Sequence, residues 1–511
     1  MFLPPSFSWR LIPTCLNLDA LLDTDKYGKM ALSNGHTNGD TNGGTNGSSA
    51  QPAVTKLLAA FTANSRPSQL TAELRDKVKE VLIDFVGVVV GALENADSSE
   101  PIYKAVVALQ GAGNTGNCSV LAKGRPHMLP QYAGLLNSAF GHSMDFDDTY
   151  APGTLHAGVS VVSAVLTQAE VLGTASNTDQ FMLAIAVGYE VTCRLGRELG
   201  YEAYSRGMHN TPTAGIFGAI AAIAVLKRLS AQTIEMAFGL AGSKAAGSMQ
   251  YLDNGSWNKR LHPGFAVHDA FMCVNLAEAG VIGATRIIEG KMGFLNAYSP
   301  NQDKDLYRLT ADLGTQWEWL KSSLKPYPAC RMTHALIEIA GNLHLSHNSG
   351  NVSPSDIDNV VLTISSANFS LVGDPIPNKI HPENVIDAQF SAYYQVANAL
   401  IYGSATGMKA YHKLGDEAIH ALCDKISVQI DDTVEQFGAR LSIAWANGKK
   451  ENLEQAFPLG EEQHPFTRDK VDDKFMSLAA PVYGKGKAAE IIKLIDSLEQ
   501  NSVEDLLEKV R

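Results

Sequence analysis

Between Gly141 and His156 the chain places Asp145, Asp147 and Asp148, the Thr149 hydroxyl and the imidazoles of His142 and His156. Solubility alone does not call for such a cluster. The three carboxylates could chelate a magnesium-diphosphate, but that chemistry needs a second carboxylate, Asn, Ser or Glu constellation on a facing helix, and the sequence offers none. The plainer alternative has the acids capping backbone amides at a helix-to-loop junction, with Asp147 and Asp148 as the structural pair.

Three further clusters are cationic. Arg206-Gly207-Met208-His209-Asn210-Thr211-Pro212 holds an imidazole at a helix start, where backbone amides favour an anion such as a substrate carboxylate. Trp257-Asn258-Lys259-Arg260-Leu261-His262-Pro263-Gly264 sits just before an apolar helix. The last is Lys325-Pro326-Tyr327-Pro328-Ala329-Cys330-Arg331-Met332-Thr333-His334. Taken singly, each basic group reads as surface or scaffold. Together they could replace the water that a polycarboxylate sheds on entering a pocket.

The elements that must position these groups are mostly helical. Leu74, Val78, Val81, Leu82, Phe85 and Val89 recur at helical spacing, with Glu73, Asp76, Lys77 and Lys79 on other faces. Further helices are expected over 131–144, 159–172, 179–199, 213–229, 231–245 and 265–279. In the 213–229 segment Gly215, Gly218, Ala219, Ala221 and Ala222 keep side chains small, as at the centre of a bundle. After about residue 320 the texture changes. Val360, Leu362 and Ile364 alternate, as do Ile426, Val428 and Ile430; Leu441, Ile443 and Trp445 lead into the turn signal Asn447-Gly448. Residues 388–402 read as a helix between strands, and 488–499 and 503–510 as final helices, the last opened by a Ser502/Asp505 capping box. The expected organisation is a disordered leader over 1–54, rich in Asn, Gly, Thr and Ser. A helical domain over 55–320 follows, then an α+β lid over 321–474 and a helical return over 475–511. The fold class is mainly α: a large all-helical bundle with a smaller α+β lid.

Composition narrows the function classes. The 511 residues are 45% hydrophobic and 18% charged, as in a globular protein with an ample core. A net charge of −12 opposes non-specific binding to nucleic acid or an anionic membrane. The apolar run from Ala214 to Leu226 ends at Lys227 and Arg228, too short for a membrane span. The six cysteines lie far apart without a CxxC pair, which fits a reducing compartment and lacks zinc spacing. Asp19, Asp23 and Asp25 argue against a secretory or mitochondrial leader, so the expected location is cytoplasmic, with mitochondrial as the alternative.

The four clusters, with Ala388-Gln389-Phe390-Ser391-Ala392-Tyr393-Tyr394, occur in an order that resembles the MmgE/PrpD family, which includes 2-methylcitrate dehydratase and cis-aconitate decarboxylase. The resemblance spans roughly residues 55 to 500. It implies a helical domain and a lid with the active site between them, usually in a homodimer, and no metal or organic cofactor. It also implies catalytic roles for His156, His209 and Asp145, and substrate binding by Thr149, Lys259 and His334, with Asp145 orienting an imidazole. The expected substrate is a small tricarboxylate. His156 is the first choice for the acid that protonates carbon after decarboxylation of cis-aconitate or a substituted aconitate, giving itaconate, and His209 is the second. Dehydratases of the family tend to carry His-Pro-Ser-Asp-Asn where this chain has His156-Ala157-Gly158-Val159-Ser160, which favours decarboxylation. The alternative is a hydro-lyase acting on 2-methylcitrate or an alkylcitrate. Behind it stand an epimerase of a small dicarboxylate and a non-catalytic binding homologue.

Overall fold

The computed structural model describes residues 52–111, 113, 116–121, 128–173, 177–300, 304–347 and 352–511. Of the expected leader, residues 1–51 lie outside the described residues.

Among the described residues, nine α-helices carry the first part of the chain: α1 (Val54–Asn64), α2 (Ala72–Asn95), α3 (Ser99–Gln110), α4 (Pro130–His142), α5 (Gly158–Leu172), α6 (Thr178–Ser205), α7 (Asn210–Lys227), α8 (Ala231–Ala241) and α9 (Asn258–Glu278). Helix α2 carries the helical periodicity read from Leu74 to Val89 and starts at a capping residue. The Thr71 hydroxyl accepts from the Leu74 N–H, and Glu73 lies in the first turn, where the helix dipole favours an acid. Its first half is amphipathic, but Val81 to Ala92 is buried on every side, because the helix Arg468–Tyr483 packs along the face that would otherwise meet water.

Helix α7 is the hub, packed against α1, α5, α6, α8 and α9. By length and composition its 18 residues could cross a membrane, more than the shorter run read from sequence allowed, but 94% of that window is buried inside the protein. Its small residues are what allow this. A Cβ on Gly218 would come within 1.8 Å of Thr192 Oγ1 and 2.6 Å of the Gly188 carbonyl oxygen on α6.

Strands β1 (Ile357–Ile364), β2 (Ile426–Ile430), β3 (Ala439–Trp445) and β4 (Lys450–Gln455) form one sheet in the order β2-β1-β3-β4. The β1/β2 pair is parallel and the others antiparallel, with Val360 opposite both Ile426 and Ile443. Ala439, Leu441, Ile443 and Trp445 point into the core, the alternation expected of a half-buried strand. Residues 450–455 offer no such signal, since only Leu453 is apolar, and β4 is an edge strand held by the Asn447-Gly448 hairpin, with Gly448 at φ +85°.

Two expectations shift in ways that matter for the site. The helix read over 388–402 is two, Val385–Gln389 and Ala392–Tyr402, broken where the Ser391 hydroxyl caps the second by accepting from the Tyr394 N–H. Helix α9 begins at Asn258 rather than Phe265, so the Lys259 to Gly264 cluster is its opening turns and Pro263 lies within it. A proline reads as a break in sequence; here Pro263, the sixth residue of the helix, removes the i→i−4 donor to the Lys259 carbonyl while the helix continues through it.

Two apolar cores result. One gathers α1 to α9 with Val471, Phe475 and the helices that follow; the other gathers the sheet, the helices His334–Ser346 and Ala392–Tyr402, and Tyr204, Met249 and Tyr251. The Ser502/Asp505 capping box opens the last helix, Val503–Val510.

Candidate active site

Residues from both cores meet at one cavity. Its polar wall is Asp145, Thr149, His156, His209, Lys259, Lys325 and Arg331; its apolar wall includes Leu155, Tyr204, Met332, Phe390 and Phe437. Five of the six positions implied by the family resemblance therefore converge here. The sixth, His334, does not line the cavity.

The loop from α4 to α5 supplies the acids and His156. It is pinned to the segment that precedes the helix His334–Ser346 by a two-way backbone bridge, Thr149 N–H to the Ser323 carbonyl at 2.8 Å and the reverse at 2.7 Å, and by a Thr149 to Ser323 hydroxyl bond of 2.8 Å. The His156 N–H donates to Thr211 Oγ1 at the start of α7, tying the loop to the hub helix. His209 is the N-cap residue of α7, as its sequence suggested, with its N–H bonded to the Gly247 carbonyl.

Asp145 holds a left-handed backbone, φ +52°, which turns its carboxylate towards two lysines. Lys259 Nζ donates to Oδ1 at 2.5 Å and Lys325 Nζ to the same oxygen at 2.8 Å, while Oδ2 is buried without a partner. Burial by itself would raise the Asp145 pKa; Lys259 and Lys325 outweigh it and hold the carboxyl well below the ordinary range. Lys325 is only 1% exposed, so its charge is available to the protein interior alone. It headed the fourth sequence cluster, but nothing local marked it as the partner of an aspartate 180 residues away.

The acid that orients His156 is Asp147, not the expected Asp145. Asp147 Oδ2 accepts from His142 Nδ1 at 2.7 Å and lies 3.1 Å from His156 Nδ1, leaving His156 Nε2 on the cavity side, 3.9 Å from Asp145 Oδ1. The reading of Asp147 as a purely structural cap fails because it faces two imidazoles rather than backbone amides. Asp148 does act as that cap: both of its oxygens accept from the Gly158 N–H at the start of α5. Burial, then the charges of Asp147 and Asp84, push it up to about 8.

Burial depresses the imidazoles of His142, His156, His209, His262 and His334. His142 falls to about 3 and His262 to about 4, while His156 and His209 are also lowered. Asp147 opposes the effect at His142 and His156; His209 has no such carboxylate and instead faces His262, with the two Nδ1 atoms 3.1 Å apart. The ligand atoms of His142, Asp147 and His156 come within 4.8 Å of one another. Within the trio Asp147 Oδ2 is hydrogen-bonded to the His142 ring and lies against His156 Nδ1, so this carboxylate oxygen holds two imidazoles in place.

His334 stands behind Arg331. Its Nδ1 is 3.0 Å from Arg331 Nη1 and its Nε2 is 3.1 Å from the Ala329 carbonyl, so the ring is the neutral tautomer that accepts from the guanidinium and donates to the backbone. Arg331, which sequence reasoning did not assign, takes the place in the cavity wall. Glu461 holds it, with Oε1 accepting from Nε at 2.8 Å and Nη2 at 2.5 Å, and the same oxygen accepts from the Ser323 hydroxyl at 3.2 Å.

Two family models cover most of the chain. Residues 56–306 match the MmgE/PrpD N-terminal domain and residues 327–500 the MmgE/PrpD C-terminal domain. The chain belongs to the MmgE/PrpD family. Its similarity to individual relatives runs almost end to end. Cis-aconitate decarboxylase-like protein oryM of Aspergillus oryzae is 26% identical over 90% of this chain and 98% of its own length. The cis-aconitate decarboxylases of Homo sapiens and Mus musculus are 23% and 25% identical, each over 88% of this chain and 92% and 91% of their own. Within this MmgE/PrpD chain the N-terminal match spans α1 to α9, which carry Asp145, Thr149, His156, His209 and Lys259 on themselves or their loops; Arg331 lies in the C-terminal match. Lys325 falls in the segment between the two matches.

Proposed function

We propose that this protein is a lyase acting on a small tricarboxylate without a cofactor, decarboxylating cis-aconitate or a substituted aconitate to itaconate or its substituted counterpart. The observation that carries the reading is the convergence of Lys259, Lys325 and Arg331 on one buried cavity with an imidazole, His156, presenting Nε2 to the same space. Three fixed cations can replace the hydration of three carboxylates. The names of the relatives support the same reaction.

The chemistry follows from the substrate. When the carboxylate on the CH2 group of cis-aconitate leaves as carbon dioxide, the broken C–C bond's electron pair forms a new double bond, and the old double bond's pair moves onto the carbon next to another carboxylate. The substrate thus acts as its own electron sink. Lys259 and Lys325 stabilise the charge that develops there, and His156 delivers the proton that completes the new C–H bond. Val159 and Ser160 stand where dehydratases of the family tend to carry an Asp-Asn pair, so this chain lacks that pair of polar groups after His156. The apolar wall of Leu155, Met332, Phe390 and Phe437 suits a substrate that carries an alkyl group.

A second copy of the chain is the partner we assign to α9. Phe265, Met272 and Leu276 recur along its outer side, 52%, 47% and 40% exposed, on a helix whose other side is already buried.

Incubation with cis-aconitate, 2-methylcitrate and a longer alkylcitrate, followed by product mass, tests the reaction. Loss of the mass of carbon dioxide is expected. Loss of the mass of water instead would assign the hydro-lyase reaction, and hydrogen-isotope exchange without mass loss an epimerase. Binding of all three without any turnover would leave a non-catalytic homologue.

A further inference from the structure

The charges around the cavity sum to zero before substrate arrives. Lys259, Lys325 and Arg331 are matched by Asp145, Asp147 and Glu461, each of which is committed to a basic partner. Behind Asp147, Lys474 and Asp84 are bonded to each other at 2.6 Å and cancel as well. A tricarboxylate at neutral pH brings three negative charges into this space. Fixed charge cannot neutralise it, because the three cations are already offset in number by three carboxylates, Lys259 and Lys325 sharing Asp145 while Asp147 lies against His142 and Glu461 holds Arg331. The remaining source of positive charge is the imidazoles.

Resting on the tricarboxylate reading above, we propose that the substrate charges its own acid: its binding draws one proton from solvent onto His156, and that proton is the one later delivered to carbon. The geometry singles out His156 among the rings, since His262 and His334 do not line the cavity. His142 does not line the cavity, and its Nδ1 is already bonded to Asp147. His209 lines it but is flanked by His262, His142 and Lys259, with no carboxylate in contact, so a charge there meets only like neighbours. His156 faces Asp147 on one nitrogen at 3.1 Å and Asp145 on the other at 3.9 Å, with Lys259 and Lys325 beyond Asp145 and His142 beyond Asp147. Burial keeps this ring neutral while the site is empty. When substrate carboxylates engage the two lysines, their repulsion on the imidazolium is offset and Asp147 is free to hold it.

The balance closes on the reaction. The trianion and the His156 proton give carbon dioxide and the itaconate dianion, and His156 returns to its neutral form. Asp147 is then a positioning residue: it fixes which nitrogen faces the cavity and stabilises the charged ring without touching substrate. An acid loaded only by substrate also stays neutral, and costs the buried site nothing, between turnovers.

The test uses the full chain and propane-1,2,3-tricarboxylate, a saturated analogue that lacks the double bond and so is not expected to lose carbon dioxide. Calorimetric titration in buffers of different ionisation enthalpy, at a pH above both the free imidazole pKa and the analogue's last carboxyl pKa, counts the protons taken up. Close to one per ligand is expected, with the dissociation constant rising about tenfold for each pH unit. In His156→Asn the uptake should vanish while the analogue still binds. In Asp147→Asn the acidic group that controls kcat should shift to lower pH, an effect that a merely structural role would not produce. Binding by the wild type with no proton uptake overturns the inference, as does uptake that persists in His156→Asn. Absence of any tricarboxylate binding by the wild type would instead overturn the tricarboxylate reading itself.

Discussion

Replacing Asp145 by Asn removes the one carboxylate that Lys259 and Lys325 share, while Asn, like Asp, tolerates the left-handed backbone found there, so the change is electrostatic rather than steric. Both ammonium nitrogens bond the same oxygen, at 2.5 and 2.8 Å, so they are at most about 5.3 Å apart. At an effective dielectric of about 20, two such charges repel by about 3 kcal/mol, a repulsion the carboxylate now cancels. Removing one partner from a buried ion pair costs about 3–5 kcal/mol by general experience, which agrees. The variant should therefore be about 3 kcal/mol less stable than the wild type when empty, measured by denaturant and thermal unfolding. Propane-1,2,3-tricarboxylate should restore most of that loss, because a ligand carboxylate can bridge the two lysines in place of Asp145. The ligand-induced rise in melting temperature should thus be larger in the variant than in the wild type. Equal stability of the two proteins without ligand, or equal ligand shifts, would refute the shared-carboxylate argument.

Other consequences are open to direct measurement. His156→Ala should abolish turnover and leave the circular-dichroism spectrum unchanged; near-normal rates would remove it as the acid. Lys259→Ala loses a charge-assisted contact of about 1.5–3 kcal/mol and should raise the Michaelis constant about ten- to a hundredfold, and an unchanged constant would count against a carboxylate-binding role. His142 and His262, at about 3 and about 4, lie below the unfolded value of about 6.5, so the unfolded chain binds protons first and each ring costs about 1.4 kcal/mol per pH unit as pH falls below about 6.5. Asp148, raised to about 8, has the opposite sign: its folded form keeps a proton that the unfolded chain releases above about 4, so stability is lost as pH rises towards 8. Asp148→Asn should therefore steepen the acid loss and gain on the wild type with rising pH, and identical melting-temperature profiles would contradict the assignment. Gly218→Ala puts a methyl against Thr192 and the Gly188 carbonyl and should cost about 1–3 kcal/mol by thermal unfolding; an unchanged midpoint would mean that α6 and α7 can part without loss.

How much of this was legible beforehand depends on the range over which each feature is determined. Helix α2, its Thr71 cap, the Ser502/Asp505 box and the alternation of β3 follow from neighbours a few residues apart, and their periods stand in the sequence. So do the motif blocks that placed the chain in the MmgE/PrpD family and brought Asp145, Thr149, His156, His209 and Lys259 forward as a group. Local pattern also misled: Pro263 looked like the end of a loop although α9 runs through it, and β4 has too little apolar character to announce itself. The tertiary structure decided the pairing of charges. Asp145 and Asp147 are the same residue type two positions apart, and one faces two lysines while the other faces two imidazoles because the backbone turns left-handed at Asp145. Lys325 and Arg331 belong to the cationic run from Lys325 to His334, but their partners lie 180 and 130 residues away, and His334 supports Arg331 instead of reaching the cavity. Sequence by itself thus determined which chemical groups the protein owns and roughly where they gather. Which group touches which was left to the packing of two cores against each other, since a buried charge takes its partner from whatever the fold brings within about 3 Å, however distant in the chain.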